Sequence, residues 1–197
     1  IGGTGSENAN SIALDASGNV YSTGSFAGTV DFDPGSGTFN LTSAGGSDIF
    51  IQKLDANGNF IWVKQLGNAG VNDSHSITLD AAGNIYSTGR FEGTIDFDPG
   101  PSVYHLTAAG ARDIYIQKLD PSGNFIWVKK MGSTLNDDGY SIALGAAGNI
   151  YSIGHFQGTV DFDPGTGVFN LTALGGYDIY IQKLDVNGNF LWAKQMG

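Results

Sequence analysis

Short apolar runs rich in β-branched and aromatic residues alternate with Gly- and Asn-containing turns along the whole chain. Residues 11–15 (SIALD) and 20–26 (VYSTGSF) flank the turn 16–19 (ASGN), and residues 48–55 (DIFIQKLD) and 60–67 (FIWVKQLG) flank the turn 56–59 (ANGN). Each pair has the signature of a β-hairpin. In both turns an Asp precedes the loop, where its carboxylate can accept backbone N–H bonds, and a Gly supplies positive φ. Two hairpins predict a four-stranded antiparallel sheet. Between its second and third strands lies an excursion, residues 28–46, in which GTVDFDPG and TFNLTS predict a further small hairpin. The fourth strand reads Phe60, Ile61, Trp62, Val63 without a polar face. A sheet that is apolar on both faces must be covered on both faces, which stacked sheets around an axis achieve.

The pattern is repeated. DFDPG begins at Asp31, Asp96 and Asp161, a spacing of 65, and IQKLD begins at Ile51, Ile116 and Ile181 in the same register. Three units follow, 3–67, 68–132 and 133–197, with Ile1-Gly2 in the place of Leu66-Gly67, the expected tail of a preceding unit in a longer array. A unit with two internal hairpins is too elaborate for a coil of a β-solenoid, so one unit is read as one propeller blade. The fold expected is all-β: three four-stranded antiparallel blades, each with an extra excursion.

The runs 15–24 (DASGNVYSTG) and 46–62 (GSDIFIQKLDANGNFIW), with the closing Leu66-Gly67, resemble the bacterial SBBP β-propeller repeat, three times over. The resemblance implies a large secreted or cell-surface bacterial protein and brings no shared catalytic residues. The sequence departs from it by the long excursion and by Gly145 where the other units have Asp15 and Asp80. That change is expected to weaken one turn and leave the fold intact.

Composition narrows the function classes. The 197 residues carry 19 Asp+Glu against 9 Lys+Arg, a net charge of −10, which argues against nucleic acid as a partner. There is no Cys, hence no disulfide, thiol nucleophile or Cys-ligated metal. No apolar run approaches the length of a membrane span and no signal peptide is present. Glu7 and Glu92 are the only glutamates, so the acidic excess is aspartate, the turn-forming acid.

Candidate chemistry falls on the connections. The turns inside each hairpin are nearly constant between units, whereas residues 3–10 (GTGSENAN), 68–75 (NAGVNDSH) and 133–140 (STLNDDGY) are almost unrelated. The column of Ser25, Arg90 and His155 varies as well, as does that of Ser47, Arg112 and Tyr177. A constant frame with one divergent face points to presentation of that face, since loops on a rigid scaffold are the usual place for binding; drift at unconstrained positions gives the same pattern. In DFDPG the pairs Asp31 and Asp33, Asp96 and Asp98, and Asp161 and Asp163 place two carboxylates on one side of an extended segment, a donor set suited to Ca²⁺. The competing reading is a turn with Phe packed inward. Asp48, Asp113 and Asp178 open the third strands as buried caps, and Trp62, Trp127 and Trp192 are expected in the core. His75, His105 and His155 occupy three different columns and cannot make a repeated metal site, and no GxSxG, HExxH or P-loop string occurs.

Three blades do not close a ring, because propellers typically use about four to eight. Self-association is therefore expected, as a homodimer of six blades or a trimer of nine; the alternative is that the three blades are a fragment of a larger ring. The functional expectation is a non-catalytic scaffold or protein-interaction module, secreted or at the cell surface. The alternative is a carbohydrate-binding propeller, for which the Trp column and Tyr21, Tyr86 and Tyr151 are the hint; a hydrolase is disfavoured.

Overall fold

The computed structural model describes residues 2, 3 and 5–197, so Ile1 of the expected tail lies outside the described residues. Gly2 does not: it belongs to β1 (Gly2–Gly3), which pairs with the excursion of the first unit. The remaining strands of that unit are β2 (Glu7–Leu14), β3 (Val20–Phe26), β4 (Thr29–Asp31), β5 (Asn40–Thr42), β6 (Asp48–Leu54) and β7 (Phe60–Leu66). The second unit has β8 (Asp73–Leu79), β9 (Ile85–Phe91), β10 (Thr94–Asp96), β11 (His105–Thr107), β12 (Asp113–Leu119) and β13 (Phe125–Met131). The third has β14 (Asp138–Leu144), β15 (Ile150–Phe156), β16 (Thr159–Asp161), β17 (Asn170–Thr172), β18 (Asp178–Leu184) and β19 (Phe190–Met196).

The described residues are all-β, with antiparallel four-stranded sheets in the orders β2-β3-β6-β7, β8-β9-β12-β13 and β14-β15-β18-β19. Each expected excursion hairpin is present, as β4–β5, β10–β11 and β16–β17. The first strands start earlier than the SIALD pattern predicts, at Glu7, Asp73 and Asp138. The reason is a β-bulge, which breaks the alternation of side chains while the backbone ladder continues past it.

The cores lie between sheets. Tyr21, Ile49, Ile51 and Leu66 of the first unit share one cluster with Ile77, Ile85, Phe91 and Phe97 of the second. Tyr86, Ile114, Ile116 and Met131 pack in the same way against Ile142, Ile150, Phe156 and Phe162 of the third. Burying such side chains stabilises the fold by roughly 1.5–3 kcal/mol each, and each of these clusters is contributed by two units. The tryptophans of the core columns make edge-on contacts with the tyrosines, Trp62 on Tyr21 at 6.1 Å and Trp127 on Tyr86 at 6.2 Å between centroids. Lys53 and Lys118 lie over the same two tyrosine rings, at 4.7 and 4.8 Å.

The hairpin turns are held by aspartate. Asp15 Oδ1 accepts the amides of Ser17 at 2.9 Å and Asn19 at 3.0 Å, and its Oδ2 accepts Asn19 Nδ2 at 2.8 Å. Asp55, Asp80, Asp120 and Asp185 repeat the arrangement. At Asp15 and Asp55 the side-chain bonds from Asn19 and Asn59 hold the carboxyl below its ordinary pKa. At Asp80, Asp120 and Asp185 burial pushes the pKa up, but hydrogen bonds from Asn84, Asn124 and Asn189 outweigh it. The Gly145 turn keeps only its backbone bonds, Gly145 N to Asn149 O at 2.9 Å and Gly148 N to Gly145 O at 2.8 Å.

Gly145→Asp restores the missing acceptor. The gain expected is about 0.5 kcal/mol, the low end for an exposed hydrogen-bonded side chain, or roughly 1–2 °C in melting temperature for a chain of this size. A carboxylate whose folded pKa is depressed stabilises the fold above its unfolded value near 4 and loses that effect as pH falls through the folded value. The difference between variant and parent in thermal melts is therefore full at about pH 6 and gone by about pH 3; an equal difference at both pH values contradicts this account.

Candidate functional site

The bulge in the first strand of each sheet falls between Ala9 and Ser11, Ser74 and Ser76, and Gly139 and Ser141. A bulge leaves one residue unpaired and redirects its side chain. Those residues are Asn10, His75 and Tyr140, all within the connection where the units differ most. His75 Nδ1 lies 2.8 Å from the Gly139 carbonyl, a bond that needs the proton on Nδ1. The His75 and Tyr140 rings stack with centroids 5.3 Å apart, and Tyr140 is half exposed.

Beside these rings lies a charge cluster that joins the second and third sheets. Arg90 Nε and one terminal nitrogen donate to Asp73 Oδ2 at 2.8 and 2.6 Å. Its other terminal nitrogen reaches Asp138 Oδ1 at 3.4 Å. Arg112 approaches Asp138 Oδ2 at 3.1 Å, and His155 Nε2 lies 2.6 Å from the same oxygen without hydrogen-bond alignment. Asp138 is fully buried, while Arg90, Arg112 and His155 each keep about a quarter of their side chain in solvent. Burial alone would lower the Arg90 pKa, but the bonds and charges of Asp73 and Asp138 raise it. The Tyr140 phenol is pushed up by burial and then by Asp138. Arg90 and Arg112 are the only arginines in the chain, and His75 and His155 are two of its three histidines.

The rim is aromatic and aliphatic. Tyr177 packs on His155 at 4.1 Å between centroids, Tyr140 meets His155 edge-on at 5.0 Å, and Val71, Leu135, Tyr140 and Tyr177 are exposed. Asp137 orders the adjoining connection by accepting the Ser133 and Gln157 amides at 2.5 and 2.9 Å, and burial raises its pKa. Exposed tyrosines around partly desolvated arginines are the composition of the energetic centre of a protein interface. At the junction of the first and second sheets the same columns hold Asn8, Ser25 and Ser47, and Asp73 pairs with Arg90 of its own sheet.

The structure brings together the two variable columns singled out from the sequence. Asp73 and Asp138, which complete the cluster, escape sequence reasoning, because the connection that contains them reads as loop and the bulge hides its strand character. The signal that could have found them is charge: the only two arginines share columns that are otherwise Ser, His or Tyr, and an acidic chain offers buried aspartate as their partner.

The DFDPG carboxylates are placed as turn formers. Asp31 Oδ1 accepts the amides of Asp33 and Phe39 at 3.0 and 2.8 Å, and Asp33 Oδ1 accepts Gly35 N at 2.8 Å. In the second unit Asp96 Oδ1 accepts the amides of Asp98 and Tyr104 at 3.0 and 2.8 Å, and Asp98 Oδ1 accepts Gly100 N at 2.8 Å. In the third, Asp161 Oδ1 accepts the amides of Asp163 and Phe169 at 3.0 and 2.8 Å, and Asp163 Oδ1 accepts Gly165 N at 2.8 Å. Phe32, Phe97 and Phe162 are buried, and their carbonyls accept Gln52, Gln117 and Gln182 Nε2 at 2.6 Å. Among the described residues no group of three or more His, Cys, Asp or Glu side chains is placed to hold a metal ion.

For Asp31, Asp33, Asp96, Asp98, Asp161 and Asp163, the candidate calcium ligands, the observed geometry is that of the turn. One oxygen of each carboxylate is engaged by backbone amides of its own loop, and among the described residues no third acidic side chain joins any pair. Asp48, Asp113 and Asp178 are buried caps as expected, accepting the amides of Ala44, Ala109 and Leu174. Tyr21 and Tyr86, candidates for a sugar platform, are fully buried.

Residues 61–90 match the SBBP beta-propeller repeat family, so the resemblance read from the sequence is shown over that stretch. An uncharacterized WD repeat-containing protein, L264, of Acanthamoeba polyphaga mimivirus is 30% identical over 110 residues, covering 49% of this chain and 8% of that protein. The regulatory protein FlaEY of Caulobacter vibrioides is 23% identical over 149 residues, covering 74% of this chain and 15% of FlaEY. The chain thus spans a small part of the curated relatives it matches. A crystal structure of a protein of unknown function from Bacteroides caccae aligns over 96% of this chain and 82% of its own, at 11% identity and a TM-score of 0.35.

Asp138→Asn removes the one charge faced by both arginines and by His155. Because those partners are partly solvated, the expected loss is about 2 kcal/mol, below the full cost of orphaning a buried ion. Asp73→Asn, with a single arginine partner and some exposure, should cost less than half as much. Urea unfolding of both variants checks the order, and an Asp138→Asn protein as stable as the parent contradicts the role of Asp138.

Proposed function

We propose that the chain is a non-catalytic propeller scaffold of three blades that presents the Arg90–Arg112–Asp138–His155 junction, with its tyrosine rim, to a protein partner. One observation carries this reading: both arginines and two of three histidines of an acidic chain converge on the one face where the repeats diverge, while the frame stays constant. Placement in a secreted or cell-surface protein is supported by the SBBP-type repeat. The WD-repeat designation of the mimivirus relative is in keeping with repeat-built interaction scaffolds. A glycan ligand is the second reading, favoured by exposed tyrosine rings next to bidentate polar groups, and it sits at this junction and not on the buried Tyr21 and Tyr86.

Selection of displayed peptides on the intact chain, in parallel with a glycan array, tests the proposal. Peptides that bind the parent and lose at least about tenfold in affinity to a double variant, Leu135→Ala with Tyr140→Ala, support it. Glycan binding lost in the same variant, without such peptides, supports the second reading. If no ligand of either kind distinguishes variant from parent, both readings fail; near-ultraviolet circular dichroism verifies that the variant retains the parent fold.

A further inference from the structure

We propose that the junction between the second and third sheets accepts a carboxylate of its partner, received by the guanidinium of Arg112. This rests on the scaffold reading and names the chemistry that its presented face recognises. The backbone fixes where Arg112 stands. Its N–H donates to Leu135 O at 3.4 Å, and its carbonyl accepts Asp137 N at 3.1 Å. Arg112 and Asn136 thereby form a parallel bridge from the second unit to the third. Both walls of the junction come from this chain and share one core.

The side chain held there is an incompletely engaged fork. Its neighbour Arg90 donates through Nε and one terminal nitrogen to Asp73 Oδ2 at 2.8 and 2.6 Å, and through the other to Asp138 Oδ1 at 3.4 Å. Arg112 instead meets Asp138 Oδ2 at 3.1 Å without hydrogen-bond alignment, and its Nε is buried with no hydrogen-bond partner. The same oxygen also faces His155 Nε2. A guanidinium carries five N–H donors in one plane, and a donor left unpaired away from water costs stability until an acceptor reaches it. In the first unit the same backbone position is Ser47, whose hydroxyl donates to Asn72 O at 3.4 Å. The open fork therefore belongs to the second junction and not to the first.

Charge selects the kind of acceptor. Arg90 and Arg112 are balanced by Asp73 and Asp138, so the cluster has no positive excess with which to hold a dianion. The chain as a whole stands at −10 with its histidines neutral, which disfavours a dianion further. A carboxylate is a monoanion, and its two coplanar oxygens match parallel N–H groups of the fork. About a quarter of the Arg112 side chain is in solvent, so such a group has access to it. Apolar surface flanks the fork. Leu135, whose carbonyl holds the Arg112 amide, is exposed, and Tyr177 packs on His155. A peptide segment with an acidic group beside an aromatic side chain meets both surfaces.

The carboxylate belongs either to an Asp or Glu side chain or to a free C-terminus, and defined probes separate the two. Acetyl-Tyr-Glu-Tyr amide, acetyl-Tyr-Gln-Tyr amide and acetyl-Tyr-Gln-Tyr with a free C-terminus are titrated into the intact chain. Nuclear magnetic resonance of the arginine Nε–H groups follows the binding. The chain has two arginines, so the signal missing in Arg112→Lys is that of Arg112. The glutamyl peptide should move this signal and bind at least about tenfold more tightly than the neutral glutaminyl peptide, the scale of a charge-assisted hydrogen bond. Arg112→Lys keeps a charge opposite Asp138 but loses the fork, and should shrink that preference to about threefold or less. The same preference for the free C-terminus also supports the proposal and makes the terminus the source. Equal binding of all three peptides overturns it, as does a carboxylate preference that Arg112→Lys retains in full. A stronger response of Arg112 to inorganic phosphate than to either acidic peptide also overturns it, because it assigns the fork to a phosphorylated partner. Exchanging Glu for Gln in the probe reads the site without altering the folding of the chain. Displayed peptides that respond at Leu135 and Tyr140 but are indifferent to loss of their carboxylates remove this inference alone, whereas the absence of any such peptide removes the scaffold reading.

Discussion

Every sheet here is apolar on both faces, and no sheet can be stable unless something covers each face. That constraint explains why the two large clusters lie between units, with Ile77 and Phe91 set against Ile49 and Leu66, and Ile142 and Phe156 set against Ile114 and Met131. It also explains the repeated polar detail. Gln117 and Gln182 donate to the carbonyls of Phe97 and Phe162, excursion residues buried in the two junctions, as Gln52 does to Phe32 in the first unit. The excursion is therefore part of each junction: its Phe fills the core and its carbonyl answers the glutamine of the sheet.

Most of this frame is legible in the sequence because it is local and repeated. The second, third and fourth strands are bounded by Asp-x-x-Gly-Asn turns whose carboxylates do what turn chemistry demands, and the 65-residue spacing sets the units. The first strand reads too short because a bulge at Asn10, His75 and Tyr140 breaks the period-two pattern on which strand recognition depends. In DFDPG the pattern shows two carboxylates on one side but not which donors reach them; the loop's own amides do, at Asp33, Asp98 and Asp163 alike. The candidate site follows the same logic. Arg90, Arg112, His155 and Tyr177 are visible as varying columns, but their convergence on Asp138 is a contact between units, which no single unit encodes.

The bulge links frame and site. In a regular ladder, residues 75 and 140 would alternate with their neighbours between the two faces and would be buried or paired. The extra residue turns His75 and Tyr140 out of that alternation and stacks them across the junction. The frame is insensitive to what stands there, because the ladder's hydrogen bonds run between backbone groups. Asn, His and Tyr can therefore replace one another without disturbing the ladder that holds Asp73 and Asp138 in place.

Shape and charge consequently play separate roles along the stack. The apolar columns are almost the same at each junction, so shape alone allows any unit to follow any other. Charge is not the same. Asp138 draws Arg90 and Arg112 across the second junction, whereas the columns of those arginines hold Ser25 and Ser47 in the first unit and Asp73 takes its arginine from its own sheet. A buried aspartate opposite two arginines admits one neighbour and rejects an interchange that would put Ser beside Asp138 or Arg beside Asn8, since either leaves a charge without a partner. Apolar burial thus makes the sheets stack, and the few charged columns fix which unit stands next to which, producing one polar, tyrosine-edged junction in an otherwise repetitive array.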